Sequence, residues 1–307
     1  MIELEHVTKR YGQVTALRDV SLRVGERECV GLLGRNGAGK TTALNLMTGY
    51  FPPDEGQVRI GGLSMLEHAR ECKRKIGYLP EKPPLYDEMT VESYLRFVCE
   101  LREVARAGIP AHVSEILALC GLEEVHGRVL GHLSKGYRQR AGIAQALCGS
   151  PDVLILDEPT VGLDPKQTVE IRELIRALAG EHTVIFSSHI LSEVQQLCSR
   201  VIILNEGRMV RDFDRRMPEN GLCRIRVKIA GKEETVIAAL KRMDPEIAVE
   251  QLPAEESGIV GARLCVSGDA AEAVPRVFRM LAASSLPVMM MAEERESLED
   301  VFLRETQ

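Results

Sequence analysis

The sequence predicts an α/β protein built on a mainly parallel sheet, followed by a smaller α+β domain. Three observations carry this reading. Apolar runs of strand length alternate with helix-patterned segments over the first two-thirds of the chain, a glycine-rich loop joins one strand to one helix, and the character of the chain changes near residues 212–221. Strands alternating with helices imply parallel pairing, with ligands at the carboxyl ends of the strands. At 307 residues the chain exceeds the size at which a single core stops growing, so two domains are expected, 1–215 and 222–307.

The early residues read as short strands joined by turns. Residues 29–33, Cys-Val-Gly-Leu-Leu, form an apolar run that suits a short buried strand. Gly-Arg-Asn-Gly-Ala-Gly-Lys-Thr-Thr follows at 34–42, then a helix over 42–47 that stops near Gly49. Pro52-Pro53-Asp54-Glu55-Gly56 is turn chemistry, 57–60 alternates as a strand, and Gly61-Gly62 turns again. Ser64 with Glu67 matches a capping box that opens a short helix. Residues of about 90–140 read as a helical insert, with Leu95, Val98, Leu101, Ile116, Leu117 and Leu119 as its apolar positions.

Strands return at 153–156, 183–186 and 201–204. Between the first two, Asp164 suits an N-cap, Pro165 the first helical position, and Gly180 the residues after the last turn. Asp, Arg, Pro, Asn and Gly then crowd together at 212–221, as in a linker. Beyond it come a strand (224–229), a helix (232–243), two strands (247–252 and 260–266), a helix (270–281) and a strand (287–292). That βαββαβ order is the ferredoxin-like arrangement. A last helix opens at Ser297, where Asp300 completes another capping-box pattern.

Composition narrows the function. Hydrophobic content of 45% and charged content of 27% are those of an ordinary globular chain. A net charge of −6 lacks the basic surplus of a general nucleic-acid binder. The eight cysteines stand singly, with no C-x-x-C pair and no zinc spacing, and read as free thiols of a reducing compartment. Strand-like residues begin at Ile2, so no signal peptide is expected, and no apolar run reaches bilayer-spanning length.

Residues 34–41 contain G-x-x-x-x-G-K-[ST] as Gly34, Gly39, Lys40 and Thr41. After a strand and before a helix, that pattern turns backbone N–H groups inward onto a polyphosphate. Asn36, Gly37, Ala38 and Thr42 belong to the same cradle. Lys40 reaches the β and γ phosphates, and the Thr41 hydroxyl ligates Mg²⁺. The run 153–156 ends in Asp157 and Glu158, two carboxylates at a strand tip: Asp157 can hold Mg²⁺ while Glu158 faces an attacking water. His189 follows Ser187-Ser188 at another strand tip, placed for a γ-phosphate contact or a proton relay. Ser134 and Gly136 open a further helix; from the residues alone, its start is either a second phosphate site or a plain N-cap.

Together the phosphate loop, the paired carboxylates with Pro159-Thr160-Val161-Gly162-Leu163-Asp164-Pro165, and the Ser-Ser-His run resemble the nucleotide-binding subunit of ATP-binding cassette (ABC) transporters. The resemblance spans roughly the first two-thirds of the chain. It implies a P-loop NTPase core with a helical subdomain, ATP and Mg²⁺ as cofactors, and pairing with a second ATPase subunit, identical or similar. Leu133-Ser134-Lys135-Gly136-Tyr137 then resembles the family's signature segment, whose serine and glycine clasp the γ phosphate held by the other subunit. Tyr11 resembles the aromatic that stacks on adenine, and Asp164 lies in the loop that crosses the dimer interface.

Two departures from the family pattern stand out. Lys135 and Tyr137 replace a glycine and the glutamine of Leu-Ser-Gly-Gly-Gln, and Glu81 replaces a glutamine near the metal. Both departures, and the C-terminal stretch Ser297-Leu298-Glu299-Asp300-Val301-Phe302-Leu303, are similar to a bacterial subgroup serving ABC-2-type permeases, including drug, antibiotic-resistance and gliding-associated exporters. The resemblance implies a cytoplasmic ATPase at the inner face of the membrane, working with an integral-membrane permease and no nucleic acid. A soluble ABC ATPase acting on ribosomes or nucleic acid is the alternative, and a tandem second cassette or coiled-coil insertion would mark it; this sequence has neither.

Overall fold

The computed structural model describes residues 1–214, 222–253, 258–268, 270–284, 286–294 and 298–306. They fall into two compact units, Met1–Phe213 with Phe302–Gln307, and Asp214–Val301. The last residues of the chain therefore group with the first unit, whereas the sequence reading assigns 222–307 to the second. Asn205 Nδ2 donates to Glu305 O at 3.0 Å, which ties the tail there.

In the first unit, β1 (Ile2–Tyr11) and β2 (Val14–Val24) form an antiparallel hairpin. The strand β3 (Cys29–Leu33) leads through the glycine-rich loop into α1 (Lys40–Met47). β4 (Glu55–Ile60) and β5 (Leu63–Ser64) join the hairpin in a four-stranded sheet of order β2-β1-β4-β5. The helix α2 (Ala69–Arg74) starts five residues later than its expected cap: the Ser64 hydroxyl accepts from Glu67 N–H at 3.4 Å, but His68 is the N-cap. Ser64 is committed to β5, so it closes a turn instead of a helix.

β6 (Ile76–Leu79) precedes the helical insert, α3 (Val91–Leu101), α4 (Ile109–Cys120) and α5 (Lys135–Leu147). Thr90 caps α3, and Val91, Tyr94, Leu95, Val98 and Cys99 form its buried stripe, as a 3.6-residue period requires. Leu101 falls off that stripe and Leu119 off that of α4; they are 65% and 47% exposed.

After the insert come β7 (Val153–Leu156), α6 (Pro165–Leu178), β8 (Thr183–Ser188), α7 (Leu191–Leu197), β9 (Arg200–Asn205) and β10 (Arg208–Asp214). The second sheet has the order β10-β9-β3-β8-β7-β6, and β9, β3, β8, β7 and β6 are parallel. Every residue of β7 and β8 is buried, which is why the sequence reads as continuous apolar runs there. The register aligns Leu33 with Ser188, Phe186 with Leu156, and Leu156 with Leu79. Four parallel strands therefore end on one edge, and the segments carrying Gly34, Glu81, Asp157 and His189 leave from it.

The second unit contains β11 (Leu222–Ala230), α8 (Glu233–Met243), β12 (Ala248–Gln251), β13 (Ile259–Ser267), α9 (Ala270–Ala283) and β14 (Val288–Glu293). Its sheet, β12-β13-β11-β14, is antiparallel in every pairing. Alternate residues Ile225, Val227 and Ile229 meet Val236, Leu240, Val277 and Leu281 in a core of its own. The last helix, α10 (Leu298–Thr306), begins where expected, although Ser297 and the Asp300 side chain of its capping pattern lie outside the described residues. Most of the linker read at 212–221 does so too.

Candidate nucleotide site

The loop after β3 depends on glycine at two points. Gly39 has φ +102°, and a Cβ there would sit 2.7 Å from Ala16 O; a side chain is excluded by strain and by space. At Gly34 the obstacle is close backbone approach, since a Cβ would lie 2.6 Å from Leu204 O. Gly39 is also the N-cap of α1 and offers no side-chain cap. The first N–H groups of α1, from Lys40, Thr41 and Thr42, thus meet the loop without a side-chain acceptor, an arrangement that favours an anion. Lys40 is 7% exposed, with Nζ 2.8 Å from Gly34 O and 3.4 Å from Glu158 Oε1.

The strand tip opposite is held by hydroxyls. Ser187 donates to Asp157 Oδ1 at 2.6 Å and accepts from Glu158 N–H at 2.9 Å. Glu158 adopts φ +48°, a left-handed conformation costing about 1–3 kcal/mol for a residue with a side chain. The turn this makes aims Glu158 away from Asp157: Glu158 Oε2 lies 2.8 Å from His189 Nδ1. One carboxylate thus touches both the loop lysine and the strand-tip histidine. A carboxylate so placed can accept a proton from a water.

Asp157 is 1% exposed, and its Oδ2 has no hydrogen-bond partner among the described residues. Burial pushes its carboxyl above the ordinary carboxylate range; the Ser187 and Thr41 hydroxyls pull it back, and the charges of Glu158 and Glu81 push it further up. An orphaned buried oxygen beside a threonine hydroxyl is an all-oxygen donor set, which suits Mg²⁺. No group of three or more His, Cys, Asp or Glu among the described residues could hold a metal by itself. The fit therefore relies on phosphate oxygens for the remaining ligands, as is usual for this ion.

Other expected residues are placed less closely. Glu81 is exposed, two residues beyond the end of β6, where Leu79 O accepts from Asp157 N–H at 2.8 Å. Tyr11 is 42% exposed, meets Phe51 edge-on with ring centroids 6.0 Å apart, and carries Lys9 Nζ 5.8 Å from its ring centre. Ser134 caps α5, accepting from Tyr137 N–H at 3.5 Å, and Gly136 is buried against the Gln167 side chain of α6. Asp164 caps α6 through Gln167 N–H at 2.8 Å. Asn36, Gly37, Ala38 and His189 line a cavity of about 780 Å³ with Arg35, Asn205 and Glu206.

Sequence reasoning missed three contributors. Ser187 couples both carboxylates, as above. Glu193 is a buried acid of α7 whose Oε2 accepts from Thr160 Oγ1 at 2.8 Å and from Ser188 Oγ at 2.9 Å, bracing the segments after both strand tips. Phe302 lines the cavity beside the phosphate loop. A glutamate in the first turn after the Ser-Ser-His run is a usable sequence signal; Phe302 has none, being more than ninety residues from its neighbours.

Comparison with known proteins gives the family. The ABC transporter family profile fits residues 17–161. The chain is 32% identical to the ABC transporter ATP-binding protein YxlF of Bacillus subtilis (strain 168), over 99% of each chain. It is 30% identical to the bacitracin transport ATP-binding protein BcrA of Bacillus licheniformis, over 99% of this chain and 96% of that one. A dimeric bacterial ABC transporter cassette superposes with TM-score 0.64 at 28% identity, covering 70% of this chain and 98% of the other; a second structure with the same scores is a post-hydrolysis state bound to ADP and Pi. The chain belongs to the ATP-binding subunits of ABC transporters and is an ATPase of that family.

Proposed function

We propose that two copies of this chain, or this chain and a similar subunit, close around two ATP molecules and drive a separate ABC-2-type permease, as an exporter. The observation that carries the hydrolytic part is Glu158, held 2.8 Å from His189 and 3.4 Å from Lys40 at the tip of a buried strand. Residues 34–42 hold the triphosphate, with Lys40 on its β and γ phosphates, and Tyr11 stacks on the base. Thr41, Asp157 and Glu81 would hold Mg²⁺, which would supply charge neutralisation at the phosphates. Glu158 orients the attacking water and accepts its proton, and His189 fixes the carboxylate in place. Ser134 and Gly136 of each copy complete the other's site, and Asp164 lies at the seam.

Two observations support the membrane part, and no helix among the described residues is long and apolar enough to cross a membrane. The bacitracin transport relative matches along nearly the whole length. A Nod factor export ATP-binding protein of Paraburkholderia xenovorans (strain LB400) is 36% identical over 69% of this chain. The site of action is the inner face of the cell membrane.

Glu158→Gln tests the chemistry. Loss of a general base typically costs 10²–10⁴-fold, so turnover should fall about 10³-fold while ATP binding is retained, read by a phosphate-release assay and by equilibrium binding. Unchanged turnover would remove Glu158 from the mechanism.

A further inference from the structure

We propose that Cys29 and Cys198 are a peroxide-oxidisable pair whose disulfide ties α7 to the strand that feeds the phosphate loop. The two sulfurs lie 3.3 Å apart. Cys29 is the first residue of β3 and is half-buried; Cys198 is the C-cap of α7 and is 2% exposed. The two elements are already in contact, because a Cβ on Gly31 would run into Val194 Cγ1. A disulfide needs an S–S distance of about 2.05 Å, so the sulfurs must approach by roughly 1.2 Å.

Roles within the pair follow from their surroundings. Either thiol can donate the hydrogen bond between them, and burial pushes the Cys198 thiol well above its ordinary value. Cys29 is partly exposed and Cys198 buried, so Cys29 is the thiol an oxidant reaches, and it attacks as the thiolate. Its sulfur attacks one oxygen of hydrogen peroxide: an S–O bond forms, the O–O bond breaks, and hydroxide leaves to take a proton. The Cys198 sulfur then attacks the sulfenic sulfur, forming S–S and breaking S–O, and the departing hydroxide takes the Cys198 proton as water. Two thiols are oxidised to one disulfide, and peroxide is reduced to two waters. Cys99 and Cys148 are also neighbours but are fully buried, so they provide an internal reference without access.

The consequence rests on the hydrolytic reading of Glu158 and His189. His189 lies two residues before α7, and a bridge at the far end of that helix fixes its seat on β3. The test treats the full chain with micromolar peroxide, then maps disulfides by mass spectrometry of peptides and follows turnover. A Cys29–Cys198 link is expected, with Cys99 and Cys148 still reduced. Turnover should fall several-fold at unchanged ATP affinity and recover with dithiothreitol. Cys29→Ser should keep its turnover and lose the sensitivity. No Cys29–Cys198 link, a link that leaves turnover unchanged, or equal sensitivity in Cys29→Ser would each overturn the proposal. Failure of the hydrolytic reading is separate: it shows in the turnover of Glu158→Gln and leaves the mapped link unaffected.

Discussion

Two helices of the first unit begin at segments read as phosphate-binding, and they begin differently. α1 starts at Gly39, which has a left-handed backbone and no side chain to cap its N–H groups. α5 starts at Ser134, extended in backbone, whose hydroxyl accepts from Tyr137 N–H at 3.5 Å. The first terminus is open to an anion by construction. The second is closed by its own serine, through a bond at the long end of the hydrogen-bonding range. A hydroxyl so weakly engaged can turn to donate to a phosphate oxygen, so in the proposed reading α5 would become an anion site only when one is brought to it. The proposed pairing of two cassettes does that.

The largest expected effect breaks the open terminus. Gly39→Ala adds a Cβ 2.7 Å from Ala16 O at a φ of +102°. Strain of about 1–3 kcal/mol at such a residue should weaken ATP binding on the order of 100-fold, read by isothermal titration; near-native affinity would mean that the loop tolerates a different path.

Ser134→Ala tests the other terminus. Losing a hydrogen bond to a charged oxygen costs about 1.5–3 kcal/mol, so turnover should fall at least about 10-fold while the ATP affinity of the separate subunit stays put. Loss of affinity in the separate subunit would place Ser134 in its own nucleotide site and collapse the contrast between the two helices.

Asp157 sharpens the comparison from the side facing α1. Its carboxyl is raised by burial, so the folded state binds a proton more tightly than the unfolded one. That contribution to stability is present below the unfolded value and is lost as pH rises through the folded value. Asp157→Asn removes the buried charge and can still accept from Ser187. Its melting temperature at neutral pH should exceed the native one by about 2–4 °C, roughly the shift that 1 kcal/mol gives in a unit of this size. The gain should shrink on acidification, while hydrolysis with Mg²⁺ is lost. A lower melting temperature at pH 7 would contradict the assignment of an uncompensated carboxylate.

The smallest effect compares two caps. Asp164 accepts from Gln167 N–H at 2.8 Å, a better bond than that of Ser134. Asp164→Ala should cost about 1 kcal/mol of stability and Ser134→Ala less, measured by urea denaturation. The reverse order would show that the Ser134 cap is stronger than its geometry indicates.

Legibility in the sequence followed the range of the interactions. The phosphate loop and the carboxylate pair are local runs, each joining a buried strand to a turn, and the sheet edge that collects them follows from strands alternating with helices. The caps at Ser134 and Asp164 were legible for the same reason. Ser64 departs from its reading because β5 claims it first, and Leu101 because it faces away from the buried stripe that runs through Val98 and Cys99. Ser187 contacts Asp157 and Glu158 across about thirty residues, and Phe302 reaches the phosphate loop from the far end of the chain. No local pattern encodes such meetings; they exist only once the parallel register is set.

The central claim is that the site at α1 is finished by the α5 terminus of a second copy. Analytical ultracentrifugation of Glu158→Gln with ATP and Mg²⁺ tests it most directly, because the closed state should accumulate when hydrolysis is blocked. The account predicts a dimer that dissociates when ATP is withdrawn and does not form when Ser134→Ala is added. A monomer under saturating ATP, or an equally stable dimer without the Ser134 hydroxyl, would contradict it.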